Sequence, residues 1–174
     1  MPQRNRHDPS KTLVGFRVGD VRYAIAIGDV REICNPHVIV ALPHAPLAVH
    51  GVADYRGEVI PVIDLRARFG LPQVEPSRRI KWVVIRVDGH SLALVVDEML
   101  GVFGTAGGEL RPAPALGGGE EMRGIEGVTT HPEGLVFVVE SGAFRDLTTR
   151  LVLPTGLAGA LPSGDRREAK GDRS

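Results

Sequence analysis

The chain has 174 residues, in which 21 Lys and Arg balance 21 Asp and Glu, so its formal net charge is zero. A chain of this length forms one ordinary domain or two small lobes sharing a core. The balanced charge argues against a nucleic-acid-binding protein, which usually carries a basic surplus. No apolar run approaches the ~20 residues of a membrane-spanning helix. Residues 1–11 lack the apolar middle of a signal peptide, and Cys34 has no cysteine to pair with, so we expect a cytoplasmic protein.

Short apolar runs alternate with turn residues along the chain, and this pattern predicts a mainly β protein. Gly-Asp, Arg-Gly and Asp-Gly pairs separate several of the runs and are typical of tight hairpin connections. A stretch rich in Gly and Pro, residues 104–122, is predicted to be a loop. The predicted strands, in chain order, cover residues 13–18, 21–27, 51–55, 58–63, 80–87, 91–97, 98–103, 124–130 and 135–140.

Two short helices are predicted between the strands. Asp29 could accept backbone N–H bonds and so cap a helix over residues 30–33. A second helix, of about two turns, is predicted to open at Asp64 and to end at Gly70.

Two parts of the sequence resemble each other at low identity, without gaps inside the matching segments. Two copies of one small β-unit, each too small to bury a core alone, would bury more surface by packing together. The alternative is a single β-sandwich with accidental self-similarity. The matching segments are residues 16–25 with 85–94, residues 51–52 with 127–128, and residues 59–63 with 135–139.

Residues 51–69 form the most informative motif, with a strand, a turn at Arg56-Gly57, a second strand and a helix start, and without a recognisable catalytic grouping. Together with other pieces in the same order, this motif resembles the CheW-like coupling-protein family over about residues 13–147. The pieces that carry the resemblance are Val30-Arg-Glu-Ile33, Leu42-Pro43, Gly51-Val52, the run from Arg56 to Arg66, Phe69-Gly70, Val95-Val-Asp97, Arg111-Pro-Ala-Pro114 and residues 125–128.

The resemblance implies a mainly β fold of two interlocked, SH3-like, five-stranded β-barrels with short helices. We place this domain at residues 13–150, between a disordered lead at residues 1–12 and a disordered tail at residues 151–174. The resemblance also implies an adaptor without catalysis, cofactor or metal, recruited from the cytoplasm to membrane-associated receptor arrays. Its expected partners are the regulatory domain of a CheA-type histidine kinase and the cytoplasmic helical tip of a chemoreceptor, with no nucleic acid and no membrane insertion.

The resemblance carries over to individual residues of the site. Arg56 resembles the arginine that is important for coupling to receptor and kinase, and the segment from Val30 to Ile33 resembles the kinase-side contact. Gly51 and Val52 lead into the strand whose exposed side borders the groove for the receptor tip. The predicted partner-binding residues are Val30, Glu32, Ile33, Gly51, Val52, Asp54, Tyr55 and Arg56.

Asp54-Tyr55 departs from the Asn-Leu that usually precedes this arginine in the family. Asp54 could pair with Arg56 or with Arg66 and mute the free positive charge, and Tyr55 would enlarge the contact surface and add a hydroxyl. The departure leaves the partner open. The alternative is a CheW-like adaptor of a non-flagellar pathway, either pilus motility or a gene-regulatory chemosensory system.

Other chemistry-bearing residues favour solvated positions over a reactive site. His37, His44 and His50 surround a Pro-rich loop without metal-ligand spacing. Asp97-Glu98 is an adjacent carboxylate pair, and neighbours on a strand face opposite ways, so we expect a solvated turn. A small enzyme or ligand-binding barrel is the third hypothesis, and it predicts a deep polar pocket with titratable groups.

Overall fold

The computed structural model describes residues 12–105, 110–113 and 124–149, which form ten β-strands in two five-stranded sheets with a few short helices. The strands are β1 (Thr12–Val18), β2 (Val21–Ala26), β3 (Val30–Cys34), β4 (Val49–Tyr55), β5 (Glu58–Asp64), β6 (Lys81–Val87), β7 (His90–Val96), β8 (Glu98–Gly104), β9 (Ile125–His131) and β10 (Gly134–Val139). The helices are α1 (Leu65–Arg68), α2 (Arg145–Thr149) and two 3₁₀ turns, Ile27–Asp29 and Ser141–Phe144.

Each sheet combines strands from both halves of the chain. The first sheet has the order β8-β1-β2-β10-β9, and the second has the order β3-β6-β7-β5-β4. If β1 to β5 are matched in turn with β6 to β10, one order converts into the other. The predicted mainly β fold of two interlocked five-stranded units is therefore confirmed.

The register of the strands repeats as well as their order. The parallel pairing between β10 and β2 places Val138 opposite Ala24, and that between β5 and β7 places Val62 opposite Ala93. The sequence overlay aligns Ala24 with Ala93 and Val62 with Val138. Equivalent residues thus make equivalent pairs, and the self-similarity belongs to the fold rather than to chance.

The main apolar core combines residues from both sheets. Phe16 of β1 and Ile25 of β2 lie in one cluster with Ile63 of β5 and Ile85 of β6, and all four are fully buried. Each sheet also has a smaller cluster of its own, which includes Trp82 in the second sheet. Strands such as β6 are therefore buried on both faces, which explains their near-continuous apolar sequence.

The segment over residues 30–33 is a strand and not the predicted helix. β3 pairs antiparallel with β6, and Ile33 lies opposite Val83. β-Branched side chains favour strands where a neighbour is available, and here pairing with a distant segment overrides the local pattern. The 3₁₀ turn before β3 has no side-chain cap bond, so the predicted capping role of Asp29 is also wrong.

The second predicted helix is present but shorter than expected. The helix opens at Asp64 as predicted, and the Asp64 side chain caps α1 by accepting the backbone N–H groups of Arg66 and Ala67. α1 spans four residues, about one turn rather than two. It ends early because Leu71 N–H bonds back to the Arg66 carbonyl, 2.8 Å away, around Gly70 in the left-handed region at φ +67°.

The described residues reach only some of the predicted domain boundaries. β1 begins at Thr12, one residue before the predicted domain start. Residues 1–11, the tail at 151–174 and most of the predicted loop at 104–122 lie outside the described residues.

Candidate functional site

The predicted partner-binding residues lie on β3, on β4 and on the turn between β4 and β5. β3 and β4 stand at opposite edges of the second sheet. The sheet curls so far that the Tyr55 hydroxyl on β4 donates a hydrogen bond to Glu32 on β3. Curling of the sheet therefore brings together side chains that are far apart in its strand order.

The turn after β4 gives Arg56 an outward position. Arg56 and Gly57 both have positive φ, +54° and +81°, the combination found in two-residue hairpin turns of type I′. The Asp54 carboxylate accepts the Gly57 backbone N–H at 2.9 Å and so fixes the turn. The prediction that Asp54 pairs with Arg56 or Arg66 is wrong, because Arg66 binds Asp97 at 2.8 Å and Arg56 binds Glu32.

Glu32, Tyr55 and Arg56 form a polar trio. Arg56 Nη2 lies 2.9 Å from Glu32 Oε2, and the Tyr55 hydroxyl donates to the same oxygen. The side chain of Arg56 is 70% exposed and that of Glu32 is 30% exposed, whereas Tyr55 is 4% exposed. The prediction that Tyr55 enlarges the contact surface is therefore wrong, because its ring is buried beneath the ion pair.

The trio fixes the charge of its members. The hydrogen bond from Tyr55, and next the bond from Arg56, lower the pKa of the Glu32 carboxyl below its ordinary value. Burial, and then the bond to Glu32, raise the pKa of the Tyr55 hydroxyl. Glu32 is therefore a carboxylate and Tyr55 a neutral donor at neutral pH.

Arg31 links the trio to Ser91 on the central strand β7 and to Glu58 on β5. Its guanidinium carbon lies 5.7 Å from the centre of the Tyr55 ring, and that of Arg56 lies 5.5 Å from it. Arg31 donates to Ser91 Oγ, and its Nη1 is 3.3 Å from Glu58 Oε2. This role of Arg31 was not predicted from the sequence, although Arg31 lies inside the motif at residues 30–33, because a helix there would not place it beside Tyr55.

The remaining predicted residues divide by exposure. Ile33 is 41% exposed and follows Glu32 along β3, whereas Val30 is half-buried and packs on the central core. Gly51 and Val52 are buried, and Val52 makes a reciprocal pair of backbone bonds with Val40 at 2.8 and 2.9 Å. These two residues support the site from within, and Ile33, Asp54 and Arg56 form its exposed part.

A charged cleft elsewhere on the molecule, between β1, α1 and β8, holds paired groups. It encloses about 310 Å³. Asp97 accepts bonds from Arg66 and the Gly19 backbone N–H, and Glu98 is bridged by Arg17 and Arg79. The prediction of a solvated turn for Asp97-Glu98 is therefore wrong, because both side chains are part-buried ion-pair partners. Paired carboxylates of this kind give no support to the third hypothesis, which needs an available acid or base.

The described residues contain neither a cluster of metal ligands nor a helix that could span a membrane. Within the described parts of the chain, no group of three or more His, Cys, Asp or Glu residues is arranged to hold a metal ion. His37 stacks on Trp82, with ring centres 5.4 Å apart. Among the same residues, no helix has the length and apolar character to cross a membrane.

Comparisons with known proteins agree with this geometry. The sequence model of the CheW-like domain matches residues 12–144, which include all ten strands. "Chemotaxis protein CheW" of Rhizobium meliloti is 32% identical over 130 residues, covering 75% of this chain and 84% of that protein. "Protein FrzA" of Myxococcus xanthus is 33% identical over 124 residues, covering 69% of this chain and 74% of that protein.

A solved structure has a similar fold. The scaffolding protein TtCheW from Thermoanaerobacter tengcongensis superposes with a TM-score of 0.68 at 25% sequence identity, covering 75% of this chain and 88% of that chain. The likeness therefore extends over most of both chains.

Proposed function

The chain belongs to the CheW-like domain family and is a coupling adaptor of a chemosensory system, and we propose that it holds a CheA-type histidine kinase against the helical tip of a chemoreceptor. It acts by binding, without catalysis of its own. It is recruited from the cytoplasm to membrane-associated receptor arrays.

The observation that carries the kinase contact is the outward ion pair of Glu32 and Arg56, with exposed Ile33 next to Glu32 along β3. Exposed apolar side chains together with charged ones are the usual composition of a protein interface. Burial of Ile33 would supply affinity, and the ion pair would set register and partner choice. Arg56 also offers a planar set of donors for a carboxylate or carbonyl of the partner.

The receptor contact would use the neighbouring exposed side of β4. His50 and Asp54 are exposed on this strand, while Gly51 and Val52 hold it from within. The helical tip of a receptor could dock on this surface through one face, as amphipathic helices do on other proteins. Co-sedimentation with receptor-containing membranes, and not with receptor-free membranes from the same cells, is the expected result.

Calorimetric titration with the regulatory domain of the CheA-type kinase of the same organism tests the kinase contact. We expect saturable binding at micromolar strength. Arg56→Ala should weaken it about tenfold, the loss expected when a charge-assisted contact is removed. Arg79→Ala is the matched control, because the Arg79 side chain is 72% exposed and also pairs with a glutamate, Glu98.

The titration separates the function from the location of the site. If Arg56→Ala and Arg79→Ala bind the kinase regulatory domain with equal Kd, Arg56 is not part of the interface. Absence of binding by the unchanged protein would contradict a role with this kinase.

A second candidate is an adaptor of a non-flagellar pathway. Asp54-Tyr55 motivates it, and so does the similarity to Protein FrzA, a relative that does not carry the CheW name. A pull-down from the native cells distinguishes the two. Recovery of the kinase and receptors of the main flagellar array would count against this candidate.

A further inference from the structure

We propose that Tyr55 is a positioning residue of the binding site, whose hydroxyl and ring hold Glu32 and Arg56 in the orientation that the partner meets. This inference rests on the proposed function. It concerns a residue at which this chain departs from the leucine usual in the family.

The first step is the convergence of two donors on one oxygen. The Tyr55 hydroxyl donates a hydrogen bond to Glu32 Oε2, and Arg56 Nη2 lies 2.9 Å from the same oxygen in an ion pair. Glu32 Oε1 receives no hydrogen bond from any described residue, and the side chain is 30% exposed. Tyr55 thus holds the carboxylate from the buried side and leaves its second oxygen for a donor on the partner.

The second step is the surface on which the guanidinium groups rest. Arg56 and Arg31 both lie within cation–π distance of the Tyr55 ring, at 5.5 and 5.7 Å from its centre. The ring is held rigidly, because it is 4% exposed and belongs to the apolar cluster around Trp82. A rigid aromatic ring therefore supports two long side chains that would otherwise sample many rotamers.

The third step is the consequence for binding. A flexible Arg and Glu must be ordered when a partner binds, and this ordering weakens the complex. In this chain the ordering is already made in the free protein, through contacts that join β3 to β4. A leucine at this position has neither a hydroxyl for Glu32 nor a ring for Arg56.

Tyr55→Phe is the test, because it removes the hydroxyl and keeps the buried ring. We expect the Kd for the kinase regulatory domain to rise about three- to tenfold, the cost of ordering one or two side chains. The matched control is Tyr23→Phe, which removes a hydroxyl from the other buried tyrosine, in the first sheet. Its Kd should change less than about twofold, as for a substitution outside an interface.

A double-mutant cycle separates positioning from a general loss of stability. Glu32→Gln keeps an acceptor but removes the charge. If the hydroxyl acts through the Glu32 carboxylate, Tyr55→Phe should cost less in the Glu32→Gln background than alone. Fully additive losses would overturn the positioning role.

A measurement on the free protein does not depend on the partner. NMR titration of the Glu32 carboxyl should give a higher pKa in Tyr55→Phe, because the largest cause of its depression is removed. The other groups that act on Glu32 are Arg56 on the turn and His37 after β3, and both remain in the variant. Cys34, on β3 itself, also remains.

The outcomes are distinguishable. If the unchanged protein binds and Arg56→Ala weakens binding, but Tyr55→Phe binds normally, the positioning role fails and the proposed function stands. If the unchanged protein does not bind, the proposed function fails. If in addition the pKa of Glu32 is the same in Tyr55→Phe as in the unchanged protein, Tyr55 does not position the carboxylate either.

Discussion

Gly51 lies where β4 approaches the preceding loop so closely that no side chain fits. A Cβ atom at this position would lie 2.3 Å from the Val40 carbonyl oxygen, and the backbone has φ +150°, which L-residues rarely adopt. We predict that Gly51→Ala destabilises the protein and that any loss of binding follows from this. The sequence predicts Gly51 as a partner-binding residue, so the substitution distinguishes a structural role from a direct one.

The expected cost combines two effects. The strained backbone conformation costs about 1–3 kcal/mol for a residue other than glycine. Relief of the clash would displace Val40 and disrupt its two backbone bonds with Val52, at about 0.5–1.5 kcal/mol each. The total is about 2–6 kcal/mol, which corresponds to a fall in Tm of about 5–20 °C for a domain of this size.

Thermal and urea unfolding, followed by circular dichroism, measure this loss. Gly57→Ala is the control, because Gly57 also has positive φ, at +81°, but its Cβ would meet nothing within 4 Å. It should cost only about 1–2 kcal/mol, from the backbone conformation alone. A Gly51→Ala protein with unchanged Tm and lost kinase binding would refute the reasoning and restore Gly51 as a contact residue.

The remaining predictions concern the core, the surface and pH. Ile63→Asp should cost more than about 4 kcal/mol and leave no cooperative unfolding transition, because Ile63 is fully buried; a soluble, folded variant would contradict the assigned register. Arg56→Ala should keep its Tm within about 2 °C, since exposed ion pairs contribute little, and insolubility would make Arg56 structural. The pKa of Glu32 is lowered in the folded state, so its stabilising contribution is present above the unfolded pKa and is lost as pH falls through the folded pKa. The free energy of unfolding of Glu32→Gln, measured in urea, should therefore approach that of the unchanged protein as the pH falls. A difference in free energy that stays constant down to the lowest pH would exclude this linkage.

The hairpins and the repeat could be predicted from the sequence because their signals are local. Gly19-Asp20 and Arg56-Gly57 select tight turns by backbone conformation, and alternation defines the strands beside them. The gap-free overlay required only that equivalent strands keep equivalent lengths. These features do not depend on how the sheets curl.

The segment at β3 and the role of Tyr55 could not be predicted, because distant contacts decide both. Val30 and Ile33 are three residues apart, which suits a helix face, and only pairing with β6 makes the segment a strand. Tyr55 at a turn looks exposed in sequence, but the curled sheet brings Glu32 over its hydroxyl. Neither contact has a local signal, since each joins segments more than twenty residues apart.

The internal repeat allows the demands of the fold to be separated from those of binding. In the second sheet, the register between β3 and β6 shifts between Val30 and Glu32, which face Ile85 and Val84. In the first sheet, β8 shifts in the same way against β1, where Met99 faces Phe16 and Gly101 faces Gly15. The overlay that aligns Phe16 with Ile85 therefore makes Gly101 the equivalent of Glu32.

The same comparison applies to the other members of the trio. The overlay of Gly51 with Gly127 makes His131 and Pro132 the equivalents of Tyr55 and Arg56. The first sheet brings its edges together without the trio, through an edge-to-face contact of Phe103 on β8 with His131 on β9, whose ring centres are 4.8 Å apart. Since one copy of the unit closes without the ion pair, closure does not require it. The fold of the unit therefore leaves the charged trio available for the binding role that we propose for it.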